Sequence, residues 1–284
     1  MKYDIGRTCW TLSIKCYYCV SPIRMGLLDC KVIIVTGASE GIGARLAAAL
    51  RHAGARLALT ARSEARLSAS ARPGDLIVPG DLTDDRVRAA VIAQTIGRFG
   101  KIDILINNAG RGSYYSATCP ATATPLDEAR AVFELNFFAP LALTQLAAPY
   151  LRGTRGTVVN VSSIAGQISL PWLPVYSASK FALAAVTSAQ RTELRRDGVH
   201  VMGVFPGYVD TDFQSHAPGP RPPERVVRGK RFAVTAEECA AAIVRGIVHR
   251  RKTVVTPRTC WLPVWMNRLF PGFVEAQLER AFHG

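Results

Sequence analysis

The stretch KVIIVTGASEGIG, residues 31–43, joins an apolar run to a glycine-rich turn. Its first part, KVIIVT (31–36), is rich in β-branched residues and is typical of a strand buried on both faces. The turn TGASEGIG (36–43) has glycines at positions 37, 41 and 43, and the helical pattern ARLAAALRHAG (44–54) follows. A strand, a tight turn and a helix in this order let free N–H groups at the helix start face a phosphate. The stretch therefore predicts a dinucleotide-binding unit at the start of a parallel sheet.

Strand and helix patterns alternate downstream to about residue 256. The further strands predicted are RLALT (56–60), DLIVPG (75–80), IDILINNAG (102–110), TVVNVSS (157–163), VHVMGVFPG (199–207) and KTVVTP (252–257). Helical patterns cover residues 84–99, 126–151, 176–196 and 236–249 most plainly. Because such alternation implies right-handed βαβ units, we expect an α/β fold with a doubly wound, seven-stranded parallel sheet in a single domain.

The two ends of the chain fall outside this alternation. Residues 1–25 match no periodic template and are expected to form a flexible leader, with the dinucleotide-binding and catalytic domain at residues 26–257. Residues 258–284 form an apolar C-terminal extension that contains Trp261, Trp265 and Phe273. We expect it to pack on the domain or on a subunit interface, and peripheral contact with a membrane is the alternative.

The composition narrows the class of partner. The chain has 35 Lys and Arg against 21 Asp and Glu, a net charge of +14, but the basic residues are scattered and the densest run is HRRK at 249–252. With no nucleic-acid-binding signature, we expect no nucleic-acid partner.

The cysteines bear on the compartment and on metal binding. Seven cysteines, odd in number, suit a reducing compartment, and a cytoplasmic location is expected. The single CxxC of Cys16 and Cys19 lacks the second pair of a zinc site, so no metal is expected. No apolar stretch reaches the roughly 18 residues of a spanning helix.

The motif YSASK at 176–180 places a phenol and an ammonium one helical turn apart. Tyr176 and Lys180 are therefore expected on the same face of a helix. A neighbouring ammonium stabilises phenolate and would lower the pKa of the tyrosine. The pair could then exchange a proton with an alcohol or carbonyl oxygen near neutral pH.

Six motifs in register resemble the short-chain dehydrogenase/reductase (SDR) family in its classical form. They are TGASEGIG, NNAG (107–110), Asn136 in ELNFFAP, Ser163, YSASK and PGYVDT (206–211), and the resemblance covers roughly residues 29–256. It implies a Rossmann-type fold and an oxidoreductase that interconverts a carbonyl and an alcohol with a nicotinamide cofactor.

The resemblance implies a role for each catalytic residue. Tyr176 would be the general acid in reduction and the general base in oxidation, and Lys180 would also bind the nicotinamide ribose. Ser163 rather than Ser162 would hold the substrate oxygen, since the family's serine stands thirteen residues before the tyrosine. Asn136 would anchor a water in a proton relay to Lys180.

The resemblance also implies a cofactor site, in which Asn107 would brace the central strands and Ala109–Gly110 would allow close passage of the cofactor. The cofactor-binding residues would be Gly37, Ser39, Gly41, Ile42, Gly43, Arg62, Asp81, Leu82, Asn108, Ala109, Gly110, Tyr176, Lys180, Pro206, Gly207, Val209 and Thr211.

The end of the second predicted strand bears on the choice of dinucleotide. NAD-dependent members usually carry an acid where this chain has Ala61, and Arg62 follows. A guanidinium without that carboxylate favours a 2′-phosphate, so we expect NADP(H). Glu40 departs from this pattern, because NADP-dependent members often carry a basic residue there. Glu64 is the alternative acid, although it lies three residues late.

Three segments build the family's substrate site, and apolar and aromatic residues prevail here in the first two of them, the loop after the fourth strand and the segment after the serine. Tyr114 and Tyr115, ISLPWLP (168–174) with Trp172, and the proline-rich HAPGPRPPE (216–224) occupy these places. They favour a hydrophobic small-molecule substrate. The alternatives are a 3-oxoacyl thioester reductase, or a cofactor-bound sensor or scaffold without turnover. A homo-oligomer is expected.

Overall fold

The structure, a computed structural model, describes residues 26–113, 121–211, 213 and 233–283. The leader, Tyr114, Tyr115 and the proline-rich segment at 216–224 lie outside the described residues, and so does the CxxC of Cys16 and Cys19.

Strands and helices alternate along the described chain. The strands are β1 (Val32–Thr36), β2 (Arg56–Thr60), β3 (Leu76–Ile77), β4 (Ile104–Asn107), β5 (Thr157–Val161), β6 (His200–Pro206), β7 (Val209–Asp210), β8 (Val234–Thr235) and β9 (Thr253–Thr256). The helices are α1 (Gly41–His52), α2 (Glu64–Ser70), α3 (Asp85–Phe99), α4 (Leu126–Phe133), α5 (Ala139–Thr154), α6 (Pro174–Glu193), α7 (Ala236–Val248), α8 (Trp261–Leu269) and α9 (Pro271–His283).

Seven of these strands form one sheet in the order β3-β2-β1-β4-β5-β6-β9, and every neighbouring pair is parallel. This confirms the predicted α/β, doubly wound architecture. The strand order changes direction between β1 and β4, so the connections that follow these two strands diverge and leave a crevice at the carboxyl edge of the sheet. Strands β7 and β8 pair separately, beside that crevice.

Helices cover both faces of the sheet, and the side chains of β1 are therefore buried on both sides. Ile33 and Val35 belong to one buried cluster, which includes Leu46 of α1 and Ile243 of α7. Ile34, on the opposite face, belongs to a second cluster with residues of α3 and α5. Because both faces are buried, the strand reads as a continuous apolar run rather than an alternating one.

The helical pattern at 126–151 was predicted as a single helix, but the structure divides it. Helix α4 ends at Phe133, a wider π-helical turn covers Glu134–Phe138, and α5 continues to Thr154. The π turn carries Asn136, which is fully buried. Contrary to the expectation from the sequence, the whole run, Leu126–Thr154, is long and apolar enough to cross a membrane by length and composition alone. Its inner face instead packs in the core, through Leu143, Leu151 and others.

The third predicted strand is also shorter than its pattern. Of residues 75–80 only Leu76 and Ile77 pair, with Ala58 and Leu59 of β2. Backbone hydrogen bonds to the β2 segment still continue from Val78 N to Leu59 O and from Gly80 N to Ala61 O. Pro79, which has no N–H, lies between these two donors and is tolerated at the sheet edge.

The C-terminal extension forms α8 and α9, which lie against the segment that follows β5. Leu278 and Phe282 of α9 pack on a buried cluster that contains Trp172 and Tyr176, and Val264 of α8 is fully buried. Arg268 donates a hydrogen bond to Gln167 Oε1 at 2.8 Å. The opposite side of the two helices exposes large apolar side chains, namely Leu262, Trp265, Leu269, Phe270 and Phe273.

Candidate active site

The glycine turn connects the carboxyl end of β1 to α1. A Cβ added at Gly43 would lie 2.0 Å from the carbonyl oxygen of Gly37, so the turn closes only with glycine at this position. Glu40 is the N-cap residue of α1 but makes no side-chain capping bond. The first N–H groups of α1 therefore remain available at the cleft, which is the arrangement that binds a pyrophosphate.

Thr36 joins this turn to the loop after β4. Its Oγ1 accepts hydrogen bonds from the backbone N–H groups of Asn108 and Ala109, both at 2.9 Å. Asn108 Nδ2 donates in return to Thr36 O at 2.9 Å. The two loops on either side of the crevice are thus fixed to each other.

A cleft of about 700 Å³ opens at this edge of the sheet. All but two of the predicted site residues line it: Gly37, Ser39, Gly41, Ile42, Gly43, Arg62, Leu82, Asn108, Ala109, Gly110, Ser163, Tyr176, Lys180, Pro206, Gly207, Val209 and Thr211. The exceptions are Asp81, whose Oδ1 accepts hydrogen bonds from the backbone N–H and the hydroxyl of Thr83, and Asn136, which lies beneath Gly110.

Tyr176 and Lys180 lie on α6 and are almost fully buried at the cleft. Lys180 Nζ donates to Val161 O at 2.9 Å and lies 5.8 Å from the centre of the Tyr176 ring. Burial raises the pKa of Tyr176 to about 12, although a hydrogen bond with Ser163 opposes the rise. Burial lowers the pKa of Lys180 to about 8.

The prediction that the ammonium lowers the pKa of Tyr176 is therefore wrong for this arrangement. Desolvation disfavours phenolate more than the hydrogen bond with Ser163 favours it. Tyr176 consequently remains protonated at neutral pH, and this is the form that a general acid needs.

The two neighbouring serines have different partners. Ser162 Oγ donates to the carbonyl oxygen of Lys180 at 2.9 Å and so holds α6 against β5. Ser163 Oγ accepts from Ala165 N at 3.1 Å and forms the hydrogen bond with Tyr176. Of the two, Ser163 is thus the hydroxyl placed beside the phenol.

Asn136 is held by three hydrogen bonds. Its Oδ1 accepts from Arg111 N at 2.9 Å, and its Nδ2 donates to Arg111 O at 2.9 Å and to Ser179 Oγ at 3.0 Å. A Cβ on Gly110 would lie 3.1 Å from Asn136 Oδ1 and 3.4 Å from Lys180 Nζ. The amide and the ammonium thus approach the same point of the backbone. Sequence reasoning missed Ser179, because its role depends on the π turn.

Asn107 braces the central strands. Its Nδ2 donates to Asn160 Oδ1 on the neighbouring strand at 2.8 Å and to Thr144 Oγ1 of α5 at 3.2 Å. This polar contact within the apolar core fixes α5, and with it the π turn, relative to β4 and β5.

Charged side chains gather where β2 ends. Arg62 and Arg66 line the cleft together with Glu40, and Arg66 Nη1 lies 2.7 Å from Glu40 Oε2. Sequence reasoning missed Arg66, because the short helix α2 that carries it was not predicted. Glu64, the alternative acid, does not line the cleft.

We expect Lys180→Met to stabilise the fold at pH 7. The folded state holds the lysine pKa at about 8 against 10.5 for a free side chain, so the buried charge costs about 3 kcal/mol. Loss of the bond to Val161 O offsets about 1 kcal/mol, leaving a net gain of about 2 kcal/mol. Urea unfolding measures this difference.

The pH dependence follows from the same pKa values. Between pH 8 and 10.5 the unfolded wild type binds more protons than the folded protein, so its stability rises with pH. The advantage of the methionine variant should therefore shrink across that window. Lys180→Arg keeps the charge and should gain nothing. A methionine variant less stable than wild type at pH 7 would contradict this account.

A doubly wound parallel sheet with a glycine turn and a buried Ser-Tyr-Lys group in its crevice defines a dinucleotide-dependent oxidoreductase. Residues 31–220 match the sequence profile described as short chain dehydrogenase. The chain therefore belongs to the short-chain dehydrogenase/reductase family, and the predicted resemblance is confirmed.

Relatives and solved structures agree with this assignment. The chain is 32% identical over 285 residues to 11-beta-hydroxysteroid dehydrogenase-like 2 of Arabidopsis thaliana, covering 95% of this chain and 88% of that protein. It is 33% identical to dehydrogenase/reductase SDR family member 7B of Bos taurus, covering 88% and 81%. A Burkholderia cenocepacia short chain dehydrogenase in complex with NADP superposes with a TM-score of 0.73 at 28% identity, covering 89% and 99%. A Burkholderia phymatum member in complex with NAD has the same fold, with a TM-score of 0.78 at 23% identity, covering 88% and 96%.

Proposed function

We propose that this protein is an NADP(H)-dependent oxidoreductase that interconverts a carbonyl and an alcohol on a hydrophobic substrate. The observation that carries the proposal is the placement of Ser163, Tyr176 and Lys180 in one cleft whose far end holds Arg62. The glycine turn between these two ends suits the pyrophosphate of a dinucleotide. The bound cofactor supplies or accepts the hydride.

The residues of the chain would provide the proton and position the substrate. Ser163 would hold the substrate oxygen beside the phenol, and Tyr176 would donate its proton to that oxygen during reduction. Lys180 keeps a positive charge close to the phenol and so stabilises the phenolate that forms. Asn136, close to Lys180 at Gly110, would hold the water that returns the proton.

The walls near Tyr176 support a hydrophobic substrate. Leu170, Leu173 and Tyr208 line this end of the cleft, and the Phe213 ring lies 5.9 Å from that of Tyr176. Among the relatives is a protein whose name refers to a hydroxysteroid. A bulky, largely apolar ketone or secondary alcohol fits these walls best.

A panel of carbonyl compounds tests the proposal. Oxidation of NADPH is followed by its absorbance in the presence of sterol-like ketones, lipid aldehydes and 3-oxoacyl thioesters. We expect turnover with one of the first two groups. Preference for acyl thioesters would favour the alternative reductase, and cofactor binding without turnover on any member would favour the sensor or scaffold.

We also propose that the C-terminal extension supports the substrate wall. Truncation after Pro257 removes the fully buried Val264 and the partly buried Leu278 and Phe282. Full burial of such a side chain contributes about 1.5–3 kcal/mol, and partial burial contributes less. We expect a lower melting temperature and a higher KM for the substrate. Unchanged stability, together with loss of vesicle binding on truncation, would instead favour a membrane-bound extension.

Self-association is the remaining partner proposal. Phe138, Leu146 and Tyr150 on and beside α5 and Phe181 on α6 are partly exposed, which suits a contact between two copies of the chain. Light scattering of the purified protein measures the oligomeric state, and a monomer at micromolar concentration would contradict the proposal. A cytoplasmic location stays a prediction.

A further inference from the structure

The ion pair between Glu40 and Arg66 lies at the end of the cleft that also holds Arg62. Glu40 Oε2 and Arg66 Nη1 are 2.7 Å apart, and both side chains are about half exposed. Exposed pairs of this kind contribute only about 0–1 kcal/mol to stability. The pair therefore contributes little to the stability of the fold. Its position in the cleft points to a role in cofactor binding.

The backbone places the two residues independently of the ion pair. Glu40 lies in extended conformation at the start of α1 and makes no capping bond there. Arg66 lies in α2, whose Ser70 Oγ donates to Ala38 O of the glycine turn at 3.1 Å. Because α2 is attached to the turn, Arg66 is held within reach of the Glu40 carboxylate.

We infer that Arg66 sets the preference for a 2′-phosphorylated dinucleotide by neutralising Glu40. This inference rests on the proposed function and names a specificity-determining pair within it. An uncompensated carboxylate in the glycine turn would repel a 2′-phosphate, which carries close to two negative charges. Paired with Arg66, the carboxylate contributes no net charge, and Arg62 remains as the attracting group.

The net charge at this end of the cleft predicts how the variants rank in their affinity for NADPH. Among the described residues, Arg62, Arg66 and Glu40 together contribute a net charge of +1 to this end of the cleft in the wild type. Glu40→Gln raises it to about +2, Arg66→Ala lowers it to about 0, and the double variant restores about +1, if each side chain counts as one unit. The affinity for NADPH should follow this order, with the double variant close to wild type. The affinity for NADH should change little in any of them.

Binding measurements test the inference without turnover. Dissociation constants for NADPH, NADH, adenosine 2′,5′-bisphosphate and AMP are measured by titration calorimetry at low and high salt. We expect Arg66→Ala to lose roughly tenfold in affinity for the two 2′-phosphorylated ligands only, with a smaller loss at high salt because exposed charges are screened. Arg72→Ala removes an arginine of the same region that does not line the cleft, and serves as the control.

Two results would overturn the inference. One is a ratio of the NADPH to the NADH dissociation constant that is the same in Arg66→Ala as in the wild type. The other is a double variant that binds NADPH as weakly as Arg66→Ala. In either case, weaker NADPH binding with little change in NADH binding in Arg62→Ala would leave the proposed function intact. The NADP(H) assignment itself fails if the wild type prefers NADH and Arg62→Ala changes neither affinity.

Discussion

Tyr176→Phe should lower turnover by a factor of about 10² or more, the scale on which general acid–base groups contribute. The substitution removes the transferable proton and keeps the ring, which is buried among Trp172 and Leu173. We therefore expect the melting temperature and the dissociation constant for NADPH to stay close to wild type. Steady-state kinetics with the best substrate of the carbonyl panel measure the loss.

Tyr150→Phe is the matched control for this prediction. It removes the same hydroxyl from an exposed position on α5, outside the cleft, and should leave kcat unchanged. Near-normal turnover in the Tyr176 variant would refute the assigned proton donor. A large loss accompanied by unfolding would be uninformative, so thermal melts accompany the kinetics.

Arg62→Ala should weaken NADPH binding by roughly ten- to a hundredfold while NADH binding changes little. A charge-assisted hydrogen bond contributes about 1.5–3 kcal/mol, and each 1.4 kcal/mol is a factor of ten in affinity. The Arg62 side chain is exposed at the cleft, directly after the buried end of β2, so its removal leaves the sheet intact. Fluorescence titration with both dinucleotides measures the ratio.

The other end of the same strand supplies the control. Arg56 is exposed at the amino end of β2, away from the cleft, and Arg56→Ala removes an equal charge. We expect it to change neither affinity. Equal losses for NADPH and NADH in the Arg62 variant would show that this guanidinium does not recognise a 2′-phosphate.

The architecture was predictable because both faces of its strands are buried. Continuous apolar runs such as KVIIVT identified the parallel sheet, and the glycine turn after the first of them located the dinucleotide site. The edge strand β3 was overpredicted, since the apolar pattern of DLIVPG continues past the two residues that pair. The π turn at Asn136 was missed because the helical pattern at 126–151 continues on both sides of it and was interpreted as one helix.

The pKa values and ion pairs of the site were harder to predict from the sequence than the identity of its residues. Spacing alone placed Tyr176 and Lys180 on one face of a helix, but it could not show how completely they would be buried. Burial reversed the predicted direction of the Tyr176 pKa. Arg66 was not predicted as a site residue, because its contact with Glu40, 26 residues away in sequence, depends on the tertiary structure.

The packing of α9 has a consequence for how such an enzyme diversifies. Its side chains Leu278 and Phe282 pack behind the cleft wall, and none of the described residues 258–283 lines the cleft itself. Substitutions there can reshape the wall from the side of Trp172 and Tyr176, while the dinucleotide cradle at the other end of the cleft stays untouched. New substrate ranges are therefore accessible to selection, or to a designer who exchanges tails between relatives, without rebuilding the chemistry. Libraries confined to residues 271–283 should yield altered KM at nearly constant cofactor affinity.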